Sequence, residues 1–258
     1  NVAAVGATPH ALSDCLCFGN PEKLHQMWEF VESVRGVADA SHAITLKDSP
    51  NDATPIIAGN VSFYNESKNG PIPPSPIVSC LGRFKDVNKA VPAHFQNNDS
   101  VILLIGERKN ELGGSVYYSL KNELGANVPK PNFEEVKNQI FALTDCIDGG
   151  FVLSCHDIAD GGIASALAEM AFGNSIGCNV KIDSDLSLDK ILFSETGGFL
   201  LVVAPDRVNA VTFVFSKYGV DVFQVGSTGG NSIQINGVVD LSVNEAKEAW
   251  TNGLREKL

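Results

Sequence analysis

The chain has 258 residues, 44% of them hydrophobic and 19% charged, a net charge of −11 and an isoelectric point near 4.8. That is globular composition with apolar material for one large or two small cores, and it excludes a disordered chain. No run of Lys and Arg alternates with aromatics, which excludes a nucleic-acid partner, although Mg²⁺ and backbone N–H groups can still bring a phosphorylated small molecule to an acidic protein.

Residues 1–6, Asn-Val-Ala-Ala-Val-Gly, read as the end of a helix and suggest a truncated or processed chain. Asn20 and Pro21 make a helix start, with Leu24, Met27, Trp28, Val31 and Val34 at helical spacing to about residue 40. The turn formers of residues 46–55 predict a mobile, dispensable surface loop. Short β-type runs follow at 55–58 and 77–81, separated by a long irregular segment, and loops of that length are usually functional or disordered. Residues 100–105 (SVILLI) predict a buried strand. Pro129 and Pro131 punctuate the chain, and helix and strand patterns alternate from Phe133 onward. The sequence therefore predicts two domains, 1–128 and 129–258. In the second, helices start at Phe133 and Ile163 and after Asp206, with strands at 151–154, 180–182, 200–203, 220–225 and 232–235. Ser242 and Glu245 have capping-box spacing for a last helix.

Six cysteines (Cys15, Cys17, Cys80, Cys146, Cys155 and Cys178) form no CxxC pair and no zinc spacing, so buried reduced thiols are expected. No apolar run approaches the roughly 18 residues of a membrane span, and the first residues lack a signal-peptide layout. Both features predict a cytoplasmic protein with no membrane partner.

No Walker A, GxGxxG, HExxH or GxSxG sequence is present, so a nucleotide would need another cradle. Three segments carry candidate chemistry. In SDCLCFGNP, Asp14 leads through Gly19 to a helix N-terminus that would attract anions; the alternative is a carboxylate that only caps a turn. In IIAGNVSFYNE, Gly59 would admit a phosphate to the backbone, Asn60 offers an amide oxygen to Mg²⁺ and Ser62 a hydroxyl; an Asx turn is the plainer reading. In SCHDIADGG, Asp157 and Asp160 lie beside helix N-terminal donors, with His156 read as a satisfied, half-buried histidine and Asp160 as a possible cap. Gly113-Gly114-Ser115 and Ser194-Glu195-Thr196-Gly197-Gly198 are lesser glycine-rich turns, more often architecture than site.

In this order, NVAAVGATPHALSDCLCFGNPEK, PIIAGNVSFYNES, PIPPSPIVSCLGRFKDV, LLIGERKNELGGSVYY, VLSCHDIADGGIASALAEMAFG and ILFSETGGFLLVV resemble the synthetase family of phosphoribosylformylglycinamidine synthase. That family shares its superfamily with aminoimidazole ribonucleotide synthetase, selenophosphate synthetase and hydrogenase maturation ATPases. The chain departs from the family pattern around residues 48–54, at Ala159, where a serine is common, and at Gly198 and Phe199, where the family has an arginine. The resemblance implies an α+β, aminoimidazole ribonucleotide synthetase-like fold, with a partial N-terminal domain followed by an α/β domain of sheet packed on helices. It implies a ligase using ATP and Mg²⁺ to convert formylglycinamide ribonucleotide to its amidine in purine biosynthesis, with ammonia from a separate glutaminase subunit. By the same resemblance Asp14 and Gly59 contact ATP, Asn60 and, more weakly, Asp157 ligate Mg²⁺, and Ser62 contacts the ribonucleotide. The catalytic base falls in a missing N-terminal half of the enzyme, so the catalytic residue is unknown. The alternatives are a non-catalytic nucleotide-binding or assembly half, or a relative such as selenophosphate synthetase.

Overall fold

The structure, a computed structural model, describes residues 1–253. It divides into two units, one of Val2 and Ala7–Lys85, the other of Asn1, Ala3–Gly6 and the chain from Asp86 onward.

The smaller unit is built on β1 (Thr8–Cys17), which runs into α1 (Leu24–Ala43). A hairpin of β2 (Thr45–Leu46) and β3 (Ser49–Ala53) precedes β4 (Ile56–Ser62). A second small hairpin, β5 (Glu66–Ser67) with β6 (Gly70–Pro71), leads to β7 (Ser75–Arg83). β1 is the middle of a three-stranded sheet, parallel to β4 and antiparallel to β7. A β-bulge interrupts the β1–β4 register: Leu12 pairs with Ile56, but Ser13 pairs with Ala58, leaving Ile57 extra.

Several expectations shift here. Asn20 caps only a turn, accepting the Glu22 N–H at 2.9 Å, and α1 starts four residues later. Leu24, Met27, Trp28, Val31 and Val34 are exposed; the helix instead buries Gln26 and Ser41 and sets Phe30 edge-on against Phe18 and Phe63, at 5.3 and 5.0 Å. The predicted loop at 46–55 is largely the β2–β3 hairpin, tied down by Thr54, which is buried. Ser41 Oγ donates to the Thr54 carbonyl at 2.7 Å, and Thr54 Oγ1 to that of Ile44 at 2.6 Å. The first six residues form turns rather than a helix end, with Ala4 N donating to the Asn1 carbonyl.

The larger unit carries β8 (Val101–Ile105), the short α2 (Val116–Ser119), α3 (Phe133–Asp148), β9 (Ser154–Asp157) and α4 (Gly162–Phe172). It continues through β10 (Cys178–Val180), α5 (Leu188–Phe193), β11 (Phe199–Val203), α6 (Val208–Ser216) and β12 (Val222–Thr228). It closes with β13 (Ser232–Ile235), β14 (Val239–Ser242) and α7 (Val243–Asn252). Its seven-stranded sheet has the order β14-β13-β10-β12-β8-β11-β9, antiparallel except for the β10–β13 pair.

β8 and β11 are continuous apolar runs because both of their faces are covered. Ile102, Leu104, Leu200 and Val202 pack with Ile163, Leu167 and Met170 of α4 and with Val243 and Ala246 of α7. Leu103, Ile105, Leu201 and Val203 face Leu143 and Ile147 of α3 and Val211 and Phe215 of α6. β8 thus belongs to the large sheet, which moves the division of the chain from the expected 128/129 to Asp86. β9 begins at Ser154 rather than at Phe151, because Phe151 N still closes the end of α3 on the Cys146 carbonyl and Val152 fills the α3–α6 core. The predicted strand at 180–182 lies at Cys178–Val180, since Lys181 leaves the β13 pairing. The capping box is as predicted, Ser242 Oγ accepting the Glu245 N–H and the Glu245 carboxylate accepting the Ser242 N–H.

Candidate functional site

The smaller unit arranges its candidate residues by strand register. Asp14 lies opposite Gly59, Cys15 opposite Asn60 and Cys17 opposite Ser62. Side chains alternate across a sheet, so Asp14 and Gly59 share one face while Asn60 and Ser62 share the other. Gly59 is a cradle in the literal sense: a Cβ there would stand 2.8 Å from Asp14 Oδ1 and 3.2 Å from both its Cγ and Oδ2. The carboxylate therefore lies over the glycine backbone, in space that any side chain at 59 would take.

On the other face Asn60 Nδ2 approaches Cys15 Sγ at 3.9 Å, and Ser62 Oγ donates to Asn65 Oδ1 at 3.1 Å. Asn65 returns two Nδ2 bonds of 2.9 Å to the Phe18 and Ser62 carbonyls and fixes the turn after β4. The irregular segment singled out in the sequence is thus β4 followed by a pinned turn, with Tyr64 at a positive φ of 58°.

The larger unit holds the third candidate and both glycine-rich turns, and one side chain gathers them. Glu195 Oε1 accepts the Val116 N–H and the Gly161 N–H, each at 2.9 Å. The GGS turn enters α2 through Ser115, whose hydroxyl accepts from Tyr118 N, and Tyr117 stacks on Phe193 at 4.5 Å. Gly162, at a φ of +65°, packs so close to α5 that a Cβ would meet the Leu192 carbonyl oxygen at 2.6 Å. The α4 N-terminus thus spends the Gly161 donor on an internal carboxylate. Asp160 is exposed and α4 has no side-chain cap, so the capping role considered for Asp160 is absent.

His156 is the satisfied histidine expected, its Nε2 3.0 Å from Glu169 Oε2 and its Nδ1 2.6 Å from the Asp157 carbonyl. The Asn1 side-chain amide lies against Asp157, at the end of β9, and with its nitrogen turned toward the carboxylate it donates to both oxygens at 2.9 Å.

Sequence reasoning missed Arg108. It is 8% exposed, and its guanidinium donates to the Gly197 carbonyl and at 3.5 Å to that of Ser194, while Nε has no partner. Burial lowers its pKa to about 10, with Glu111 opposing the shift. Arg108 lies at the edge of a cavity of about 560 Å³ that Lys181, Asp183, Asp185 and Phe223 also line. The only sequence signal was a charged residue three positions after a buried strand. The thiols also divide otherwise than expected: Cys146, Cys155 and Cys178 are buried, whereas Cys15, Cys17 and Cys80 are partly exposed. Burial pushes Cys178 up to about 12 and Cys155 higher still.

The family description "AIR synthase related protein, C-terminal domain" matches residues 97–235, and its N-terminal counterpart matches residues 1–84. The chain belongs to the AIR synthase-related family. The change of unit at Asp86 falls in the stretch between the two matched segments, residues 85–96. Among curated relatives, the phosphoribosylformylglycinamidine synthase subunit PurL of Methanothrix thermoacetophila is 41% identical over 265 residues, covering 100% of this chain and 34% of that protein. The same subunit of Moorella thermoacetica is 37% identical over 260 residues, covering 98% and 34%. The chain therefore spans about a third of the length of these relatives. Among solved structures, Thermotoga maritima PurL complexed with FGAR superposes at a TM-score of 0.73 with 17% identity, over 95% of this chain and 40% of that one. At that identity the likeness concerns the fold, and it is the α+β fold expected for the family.

Proposed function

We propose that this chain is part of an ATP-dependent carbon–nitrogen ligase that amidates formylglycinamide ribonucleotide in purine biosynthesis. The observation that carries the reading is the register of β1 on β4, which lays the Asp14 carboxylate over bare backbone at Gly59, on a chain whose curated relatives are named as the synthase subunit.

The residues present fit the groups the reaction needs. Gly59, without a Cβ, lets a nucleotide approach the main chain, and Asp14 beside it offers a carboxylate. Mg²⁺ takes few protein oxygens and binds the nucleotide's phosphates as well. The Asn60 amide oxygen beside the Ser62 hydroxyl is a donor of the right kind, but strand alternation sets it on the face away from Asp14 and Gly59, so the register alone does not bring the cation to the same nucleotide. Asp157, whose carboxylate is engaged by Asn1, is the weaker Mg²⁺ candidate. When bound, ATP supplies the phosphoryl group that activates the substrate amide oxygen for displacement by ammonia. Asp14 and Gly59 would orient the nucleotide, Asn60 would offer its amide oxygen to the cation, and Ser62, fixed by Asn65, would position the ribonucleotide. We place the catalytic base in the N-terminal half of such an enzyme and the ammonia source in a glutaminase subunit, in the cytoplasm.

The test is phosphate release with formylglycinamide ribonucleotide, ATP, Mg²⁺ and ammonium in the complete enzyme. Asp14→Asn keeps the shape and removes the charge, and is expected to raise the KM for ATP. Gly59→Ala, which must turn the carboxylate aside, is expected to do the same. Asn60→Ala is expected to raise the Mg²⁺ concentration required. Unchanged ATP and Mg²⁺ dependence in all three variants would remove these residues from the site.

A further inference from the structure

β1 presents two thiols on one face of the three-stranded sheet. Cys15 and Cys17 are two residues apart and both partly exposed, and their sulfurs lie 3.8 Å from each other. We infer that Cys15 and Cys17 form a binding site for a thiophilic divalent cation of the zinc and cadmium class, with water completing its coordination.

The spacing carries the inference. Two metal–sulfur bonds of about 2.3 Å at the tetrahedral angle put their sulfurs about 3.8 Å apart, so an ion of this kind enters without moving the strand. A direct S–S bond suits the pair less well. Residues two apart in a strand are separated by about 6.7 Å between Cα atoms, the far edge of what a disulfide spans. β1 is hydrogen-bonded on both sides, to β4 and β7, and resists the pucker that closing the gap would require. Two waters complete the tetrahedron. In the balance of the step each thiol gives up its proton to solvent, two sulfur–metal bonds form, the six-coordinate aqua ion sheds four waters and keeps two, and nothing is oxidised or reduced. Soft thiolate donors prefer such ions to Mg²⁺, so the pair discriminates between the two metal classes.

Cadmium alone is the probe, added to the reduced full chain in excess Mg²⁺. An ultraviolet thiolate-to-cadmium charge-transfer band is expected to rise and saturate at one ion per chain. Cys15→Ser or Cys17→Ser, with unchanged circular dichroism, is expected to abolish it, and Cys80→Ser to leave it intact. In the unmutated chain cadmium is expected to shield Cys15 and Cys17 together from alkylation, read by peptide mass mapping, which serves even if a variant fails to fold. A band that survives loss of either cysteine, a band removed by Mg²⁺, or alkylation of the two thiols unaffected by cadmium would each overturn the inference.

Discussion

Glu195 joins the start of α2 to the start of α4 through one carboxylate oxygen. Glu195→Ala leaves two main-chain donors without their partner and is expected to cost about 2 kcal/mol. Glu195→Gln, whose amide oxygen can accept both bonds, is expected to recover most of that, read as urea midpoints at constant m-value. Tyr218 gives a pH signature. It donates to Asp145 Oδ2 at 2.5 Å, and burial, followed by that bond, raises its pKa from 10 to about 12. Between those values the folded chain keeps a proton that the unfolded chain has lost, so stability falls as pH rises through the window. The advantage of the native chain over Tyr218→Phe is therefore expected to be full below about pH 10 and gone above about pH 12, as denaturation midpoints across that range will show. Little of this was legible in the residues. SETGG was visible as a turn before a strand, but the donors Glu195 binds are 79 and 34 positions away, and no local pattern encodes such a meeting. Asp14 and Gly59 stood out from the sequence separately; only strand pairing makes them neighbours.

Among the elements, those with a strong local code came through. The apolar run of β8, the periodic face of α3 and the capping box of α7 each state their structure within a few residues. The code fails where a tertiary contact overrides it. Leu24 and Trp28 have the spacing of a buried helix face, but α1 turns Gln26 inward, into the space left by Gly19, where a Cβ would meet Gln26 Oε1 at 2.2 Å. The β2–β3 hairpin was hidden because its residues are turn formers and its anchor is a single threonine. Thr54→Val removes the bond to Ile44 and is expected to lower stability by about 1 kcal/mol. Substitution of exposed Asp52 in the same hairpin is expected to stay within about 0.5 kcal/mol. Thermal melts of the two variants side by side separate anchor from tip, and an equal response would show that the hairpin is as dispensable as its composition suggests.

For the molecule as a whole, composition predicted apolar material for one large or two small cores, and the two units differ in how they use it. The larger unit covers both faces of its sheet, whereas the three-stranded sheet leaves Ile57, Ile77 and Leu81 more than half exposed, at 60%, 55% and 56%. Exposed apolar side chains on a short sheet favour association. The isolated chain is expected to self-associate with rising concentration in sedimentation velocity runs, and Ile77→Ser with Leu81→Ser to reduce this. Sedimentation as a monomer at every concentration would refute it. The exposure itself was not legible, because a strand rich in Ile, Val and Leu reads the same whether its partner is in the chain or outside it.

The bulge at Ile57 bears on how such a sequence can vary through descent. Because one extra residue separates the Leu12–Ile56 pair from the Ser13–Ala58 pair, the parity of every later position in β4 depends on it. Loss of a single codon for Ile57 would shift nothing beyond the bulge, whereas loss of Ala58 would have to be absorbed by that same spare residue. A second loss would send Asn60 and Ser62 to the face now held by Gly59. Single-residue deletions in this strand are thus buffered once, and a library of deletions across β4 should show one tolerated step followed by an abrupt loss of the proposed nucleotide binding.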